Sequence, residues 1–133
     1  MIIAQNIVDQ IIAHACREAP IEACGYLGGM DDRITAIYEM KNIDGREDHF
    51  SFEPQEQFAA HKKARQAGLK IIGVYHSHPV TPARPSVEDI ALAYDPSALY
   101  VIISLLDDRP VVKGFWIKQG KVNEEPLIIE DKL

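Results

Sequence analysis

Residues 69–89 read L-K-I-I-G-V-Y-H-S-H-P-V-T-P-A-R-P-S-V-E-D, and this stretch decides the fold. Its first seven residues are almost continuously apolar, which is typical of a central strand covered on both faces. Three prolines within residues 79–85 predict a rigid loop, because proline fixes its own backbone φ angle. A helix is expected from Ser86 to about Tyr94. A buried strand, a stiff loop and a helix therefore follow one another, with polar residues at both junctions.

The rest of the chain alternates helices with strands at first and then runs through consecutive strands. An apolar stripe predicts a helix over residues 6–18, with Asn6 as its N-cap and Pro20 as its stop. The Gly-Gly pair at 28–29 is expected to form a hairpin turn. A second helix is predicted over 54–68, and further strands over 24–29, 33–40, 98–105, 110–118 and 121–129. This order favours an α/β fold with a mixed sheet and helices packed against it.

Length and composition are those of an ordinary globular domain. The chain has 133 residues, near the commonest size of one domain, so a single domain over 1–133 is expected. The net charge is −6 and no basic stripe is present, which argues against nucleic-acid binding. No apolar run approaches the length that spans a membrane, and no signal peptide is recognisable. We therefore expect a cytoplasmic protein.

Two cysteines, Cys16 and Cys24, are too few for a disulfide framework. Neither belongs to a C-x-x-C pair, so both are interpreted as reduced thiols in a cytosolic protein. A single bridge between them stays open at this point.

The histidines that end the apolar strand suggest a metal site. His76 and His78 are two residues apart, so on a strand both imidazoles face the same side. Asp89 follows eleven residues later, near the start of the expected helix. Two imidazoles and one carboxylate leave a coordination position open, which is the pattern of a catalytic zinc site. Zinc in such a site makes water a nucleophile at neutral pH.

A purely structural interpretation also accounts for these residues. An H-x-H pair occurs often in surface loops, and Ser86 with Asp89 is a typical helix cap. Against this, the histidine pair ends a buried strand, where an unpaired polar group is costly. Spacing by itself leaves both interpretations open.

The run His76-Ser77-His78, seven residues, Ser86, two residues and Asp89 matches the JAMM motif of the MPN-plus metalloproteases. Upstream, residues 22–28 (E-A-C-G-Y-L-G) are similar to the segment that bears the catalytic glutamate of that family. The resemblance continues over most of the chain. It implies a curved, mixed central sheet flanked by helices, the architecture shared with cytidine deaminases. The chain is most similar to the compact stand-alone prokaryotic members.

The resemblance assigns roles to individual residues. His76, His78 and Asp89 would bind one Zn²⁺ per chain. Glu22 would take the proton of the attacking water and pass it to the leaving amine. Ser86 would donate a hydrogen bond to the developing oxyanion. The choice of Glu22 over the other glutamates, which include Glu39, Glu53 and Glu88, rests on the family and not on spacing. Ser77 is interpreted as structural.

The family cleaves amide bonds, often isopeptide bonds, after the C-terminal Gly-Gly of ubiquitin-like β-grasp proteins. The resemblance therefore implies a metalloprotease or isopeptidase whose substrate is a small sulfur-carrier protein with a Gly-Gly tail. Asn42 and the segment 50–52 are candidate walls of the groove for that tail.

Two other functions compete with this one. A zinc deaminase is disfavoured because its H-x-E and P-C-x-x-C signatures are absent. A catalytically inactive MPN-type interaction scaffold is the remaining alternative, although every ligand position of the motif is filled. The sequence does not determine the carrier protein, the leaving group or the oligomeric state.

Overall fold

The computed structural model describes residues 1–131, so the last two residues of the predicted domain lie outside the described part of the chain. Eight strands and three helices form one sheet with helices against it. In chain order they are β1 (Ile2–Ala4), α1 (Gln5–Glu18), β2 (Cys24–Met30), β3 (Arg33–Met40), α2 (Pro54–Gln66), β4 (Lys70–His78), α3 (Val87–Ala91), β5 (Leu99–Ser104), β6 (Val111–Lys118), β7 (Lys121–Glu125) and β8 (Ile128–Glu130). The expected mixed α/β fold is confirmed.

The sheet has the strand order β7-β6-β5-β4-β2-β3-β1-β8. Strand β4 pairs in parallel with β5 and antiparallel with β2, so it lies in the middle of a mixed sheet. Strands β7 and β8 occupy opposite edges of the sheet, yet only two residues connect them. The sheet must therefore curl until its two edges approach each other. The Met1 amine donates to Glu125 Oε2 at 2.8 Å across this closure.

The two faces of the curled sheet have separate cores. Helix α1 packs its buried side chains against one face, together with Tyr75, Val101 and Ile103. On the other face, Ile102 and Ile117 pack with Ile90 of α3 and with Ala83 of the loop at residues 79–85. Because side chains alternate along a strand, His76 and His78 project to the second face, opposite Tyr75. This alternation places the candidate ligands beside α3.

The prediction of a Gly-Gly turn at 28–29 is wrong. Both glycines lie inside β2, which continues to Met30, and the turn is made by Asp31 and Asp32. Asp31 takes the left-handed conformation that this turn requires, with φ of 53°. Glycine is needed at 29 for a different reason: a Cβ there would overlap the main-chain oxygen of Arg33.

Other element boundaries also differ from the sequence predictions. The segment 121–129 forms two strands, β7 and β8, separated at Pro126, because proline lacks the N–H that a sheet ladder uses. No pattern in the sequence indicates the short strand β1. It runs directly into α1, so Ala4 occupies the N-cap position expected for Asn6. Helix α3 ends at Ala91, three residues before the expected Tyr94.

Two further sequence expectations concern cysteines and membranes. Cys16 is exposed and Cys24 is buried, and both are free thiols. Within residues 1–131, no helix is long and apolar enough to cross a membrane.

The contact at Gly29 makes a stability prediction. Gly29→Ala should lower the free energy of unfolding by at least about 3 kcal/mol, because the new methyl group meets main-chain atoms that cannot move aside. Gly120→Ala is the matched control. Gly120 has a positive φ of 78° but open space around its Cβ position, so only about 1 kcal/mol of backbone strain is expected. Urea denaturation measures both, and equal losses would contradict the packing argument.

Candidate metal centre

The carboxyl end of β4 brings two imidazoles together. His76 and His78 are 2% and 4% exposed, and their Nε2 atoms are 3.1 Å apart. The strand continues through both residues, so its alternation puts the two rings on one face, where their Nε2 atoms converge. The expected convergence of the histidine pair is therefore present in the structure.

The third candidate ligand reaches this point from α3. Asp89 Oδ2 lies 3.2 Å from His76 Nε2 and 3.0 Å from His78 Nε2. A capping box fixes the carboxylate there: Ser86 N–H donates to Asp89 Oδ2 at 2.9 Å, and Asp89 N–H donates to Ser86 Oγ at 3.0 Å. The capping interpretation and the ligand interpretation are thus compatible, because one carboxylate oxygen serves both.

The three atoms have the chemistry and the spacing of a zinc site. In tetrahedral zinc, with ligand bonds of about 2.0–2.1 Å, ligand atoms lie about 3.3 Å apart. The observed separations of 3.0–3.2 Å are close to that value. His78 Nδ1 donates to the carbonyl oxygen of Pro82 at 2.8 Å, and since a carbonyl cannot donate, the proton must sit on Nδ1. In neutral His78 the Nε2 lone pair is then directed into the triangle formed by His76 Nε2, His78 Nε2 and Asp89 Oδ2, as ligation requires.

Electrostatics at the triangle favour a negative Asp89 beside positive charge. Burial by itself raises the pKa of Asp89, but contacts with His76 and His78 outweigh burial and hold this pKa well below its usual range. Burial lowers the pKa of His78, yet the Asp89 carboxylate and the Pro82 carbonyl outweigh that effect and leave it raised. Three electron-pair donors at this distance require a cation or a proton among them.

An aromatic side chain covers the first histidine. Phe50 stacks on His76, with ring centroids 4.8 Å apart and an interplanar angle of 26°. His76 Nδ1 is buried and has no hydrogen-bond partner among the described residues. On its Nδ1 side the ring of His76 is therefore held by packing, whereas the Nδ1 side of His78 is held by its hydrogen bond to Pro82.

Glu22 is the one glutamate of the four candidates with a buried carboxyl group beside the triangle. It is 4% exposed, and its Oε1 has no hydrogen-bond partner among the described residues. Burial, only partly offset by His78, raises the pKa of Glu22 to about 8. Glu39 instead pairs with Arg17 on the surface, and Glu53 caps α2. Burial, which is the cause of the raised pKa of Glu22, therefore distinguishes this residue from Glu39 and Glu53.

Two cavities adjoin the triangle. The first, of about 460 Å³, is lined by Glu22, His78, Ser86 and the loop at 45–48. The second, of about 550 Å³, is bounded by His76 and Asp89 and is mostly apolar and aromatic. Its walls include the predicted segment 50–52 and side chains of α2, β4 and β5.

Two residues of the loop between β3 and α2, His49 and Asn42, make contacts that only the folded structure reveals. His49 contacts Glu88 on α3 through Nδ1 and Asp44 through Nε2 at 2.8 Å, so it ties the loop to the helix of Asp89. Asn42, predicted as a groove wall, is instead buried under the loop and bonds to its main chain. No spacing in the sequence indicates these contacts. His49 and Glu88 are far apart along the chain, and Asn42 bonds to the main chain of an irregular loop.

The chain is similar to known proteins over nearly its whole length. The family described as prokaryotic homologs of the JAB domain matches residues 4–118. The CysO-cysteine peptidase of Mycobacterium tuberculosis is 33% identical, over 99% of this chain and 92% of the peptidase. The desampylase of Pyrococcus furiosus is 25% identical, over 98% of this chain and 91% of that enzyme. A protein of Desulfitobacterium hafniense solved in solution is 44% identical with a TM-score of 0.92, over 100% of this chain and 95% of that one.

The curled mixed sheet and the two-histidine, one-aspartate triangle define the class of JAMM-type hydrolases. Within that class, the chain belongs to the family of prokaryotic homologs of the JAB domain. The resemblance read from the JAMM motif is therefore confirmed.

The buried carboxyl group of Glu22 makes stability depend on pH. Its pKa rises from 4.5 to about 8 on folding, so the folded state keeps a proton that the unfolded chain releases between these values. The free energy of unfolding therefore falls as pH rises through this range. In metal-free protein, Glu22→Gln should not show this loss. Its free energy of unfolding at pH 8 should exceed that of wild type by about 1–3 kcal/mol.

Urea denaturation with a chelator present, at pH 5 and pH 8, measures this difference. Glu39→Gln is the control, because that side chain lies at the surface. An advantage of Glu22→Gln that is the same at both pH values would contradict the raised pKa.

Proposed function

We propose that this protein is a zinc-dependent peptidase that hydrolyses amide bonds after the C-terminal Gly-Gly of ubiquitin-like sulfur-carrier proteins. The observation that carries the proposal is the triangle of His76, His78 and Asp89 beside the buried carboxyl group of Glu22. An interaction scaffold would have no use for a buried carboxyl group there whose Oε1 has no hydrogen-bond partner within residues 1–131, since burial of such a group is costly.

The relatives support the choice of substrate class. One is a CysO-cysteine peptidase and another is a desampylase, and each aligns with nearly the whole of this chain. The leaving group is an amino acid, a peptide or the side chain of a lysine. As parts of the same proposal, residues 1–133 form a single catalytic domain, the protein is cytoplasmic, and its substrates are proteins and not nucleic acids or membranes.

We assign the three ligands of one Zn²⁺ per chain to His76, His78 and Asp89. A zinc ion held there would supply Lewis-acid activation of water and of the substrate carbonyl. Glu22 takes the proton of the attacking water and passes it to the leaving amine, a role that suits its raised pKa. Ser86 donates to the oxyanion of the tetrahedral intermediate. Its Oγ accepts from Asp89 N–H, so its own hydrogen stays free to donate.

The two cavities support one orientation of the bound substrate. Glu22 lines the first cavity and must reach the leaving amine, so the leaving group lies there. The carrier tail then lies on the other side of the ligands, in the aromatic second cavity. Phe50 stacks on His76 and lines the same cavity, so its ring is the group that would exclude residues larger than glycine at the scissile bond.

Metal content tests the ligand assignment. The purified protein should contain one zinc per chain, and His78→Ala should lose most of it, because removal of one of three ligands opens the site. His61→Ala is the matched control, since His61 is exposed on α2 and outside the triangle. Elemental analysis after gentle purification measures both. A wild-type protein without zinc, or a His78→Ala variant with a full complement, would refute the assignment.

Activity tests the proton carrier. The substrate is a Gly-Gly-ended β-grasp carrier joined through its terminal glycine to a single amino acid, a peptide or a lysine side chain. Glu22→Ala should lower kcat by about 10²- to 10⁴-fold, as loss of a general base does. Glu39→Ala should keep full activity, because that carboxylate pairs with Arg17 on the surface.

A chelator should abolish cleavage by the wild type, and added zinc should restore it. Cleavage that persists with chelator would rule out the zinc mechanism. Cleavage that persists in Glu22→Ala would show that another group carries the proton.

A further inference from the structure

Glu22 has no regular secondary structure to hold it. Residues 19–23 join α1 to β2 without belonging to either. The carboxyl atom Oε1 is buried and makes no hydrogen bond among the described residues, so that atom does not anchor the side chain. The position of this carboxyl group must therefore depend on how the main chain at residues 22 and 23 is fixed.

The strand of the candidate ligands fixes Ala23. The N–H of Ala23 donates to Ser77 Oγ at 2.7 Å, and the N–H of Ser77 donates to the carbonyl of Ala23 at 2.9 Å. Ser77 is fully buried and lies between His76 and His78. The pairing of β2 with β4 reaches Cys24 opposite His76, and Ser77 continues that pairing by one residue through its hydroxyl group.

The loop between β3 and α2 fixes Glu22 itself. Asn42 Nδ2 donates to the carbonyl of Glu22 at 3.1 Å and to the carbonyl of His49 at 2.9 Å. Asn42 Oδ1 accepts from the N–H groups of Asp44 and Ser51 at 3.1 and 3.3 Å. One buried amide thus organises the loop and binds it to the glutamate.

The same loop also receives the N–H of Glu22, which donates to the carbonyl of Arg46 at 3.0 Å. All four main-chain polar groups of Glu22 and Ala23 are therefore hydrogen-bonded, two from β4 and two from the loop. Arg46 lines the first cavity together with Glu22. The hydrogen bond between their main chains consequently ties Glu22 to the loop that forms the wall of that cavity.

We propose that Ser77 and Asn42 are positioning residues for Glu22. Ser77 sets the distance of Glu22 from the ligand strand, and Asn42 sets its place relative to the loop of the first cavity. The inference rests on the proposed role of Glu22 as the proton carrier. Both residues act through main-chain atoms, so their loss displaces the carboxyl group without removing a ligand or a reacting group. A displacement of about 1 Å is enough to cost up to about 100-fold in rate.

Amide hydrogen exchange tests the positioning without any substrate. In folded, zinc-loaded protein, Ser77→Ala should speed exchange of the Ala23 amide by about tenfold or more, because that amide loses its acceptor. Asn42→Ala should do the same for the Glu22 amide. Ser77→Thr keeps a hydroxyl group and should restore protection. Asn123→Ala, at an exposed position on β7, is the control and should change neither amide.

If Asn42→Ala does not fold, Asn42→Asp replaces it, since aspartate keeps the size of the side chain but cannot donate to the carbonyl of Glu22. Full protection of both amides in the folded variants would overturn the inference. Because exchange does not depend on cleavage, this result is separate from any failure of the proposed activity.

Kinetics with a cleavable carrier adduct then separates positioning from general stability. Ser77→Ala and Asn42→Ala should each lower kcat by about 10- to 100-fold, with KM and zinc content unchanged. In the Glu22→Ala background the same substitutions should cause no further loss, because they act through the missing carboxyl group. If Ser77→Ala or Asn42→Ala lowered kcat by the same factor in the Glu22→Ala background as in wild type, that residue would not act through Glu22.

Discussion

Three electron-pair donors meet at the end of the central strand, and the rest of the site depends on this contact. The Nε2 atoms of His76 and His78 and the Oδ2 atom of Asp89 lie 3.0–3.2 Å from one another in a buried setting. The lone pairs of these three atoms repel one another unless a cation or a proton lies between them. The carbonyl of Pro82 and the capping box of Ser86 hold the donors in place in spite of this repulsion. Rigid surroundings are thus a requirement of the site.

Burial has a second consequence for Glu22. Burial raises the cost of charge on this carboxyl group, whose Oε1 has no hydrogen-bond partner within residues 1–131, and so raises its pKa and makes its carboxylate a better proton acceptor. It also leaves the group without an anchor of its own, so Ser77 and Asn42 become important through the main chain. The same physical condition therefore explains both the proton affinity of Glu22 and the dense hydrogen bonding around it.

Sequence patterns predicted the elements well where the pattern was long and periodic. The limits of β3 agree residue for residue, and those of α1, α2, β4, β5 and β6 agree within a few residues. Predictions were wrong where the same residues are compatible with two different local structures. Gly28-Gly29 resembles a turn but allows close strand pairing, and residues 121–129 resemble one strand but cross from one sheet edge to the other at Pro126. Local propensity carries no information about which distant backbone comes close.

The sequence by itself determined the α/β class, the central strand and the two histidines that share one face, because alternation along a strand is a local property. Through the spacing to Ser86 and Asp89 it also determined the family. Only the tertiary structure decided that the carboxylate closes the triangle, that Glu22 is buried beside it, and that Asn42 lies beneath the loop instead of lining a groove. Those contacts join segments that are far apart in sequence, and only the packing of the curled sheet brings them within hydrogen-bond distance.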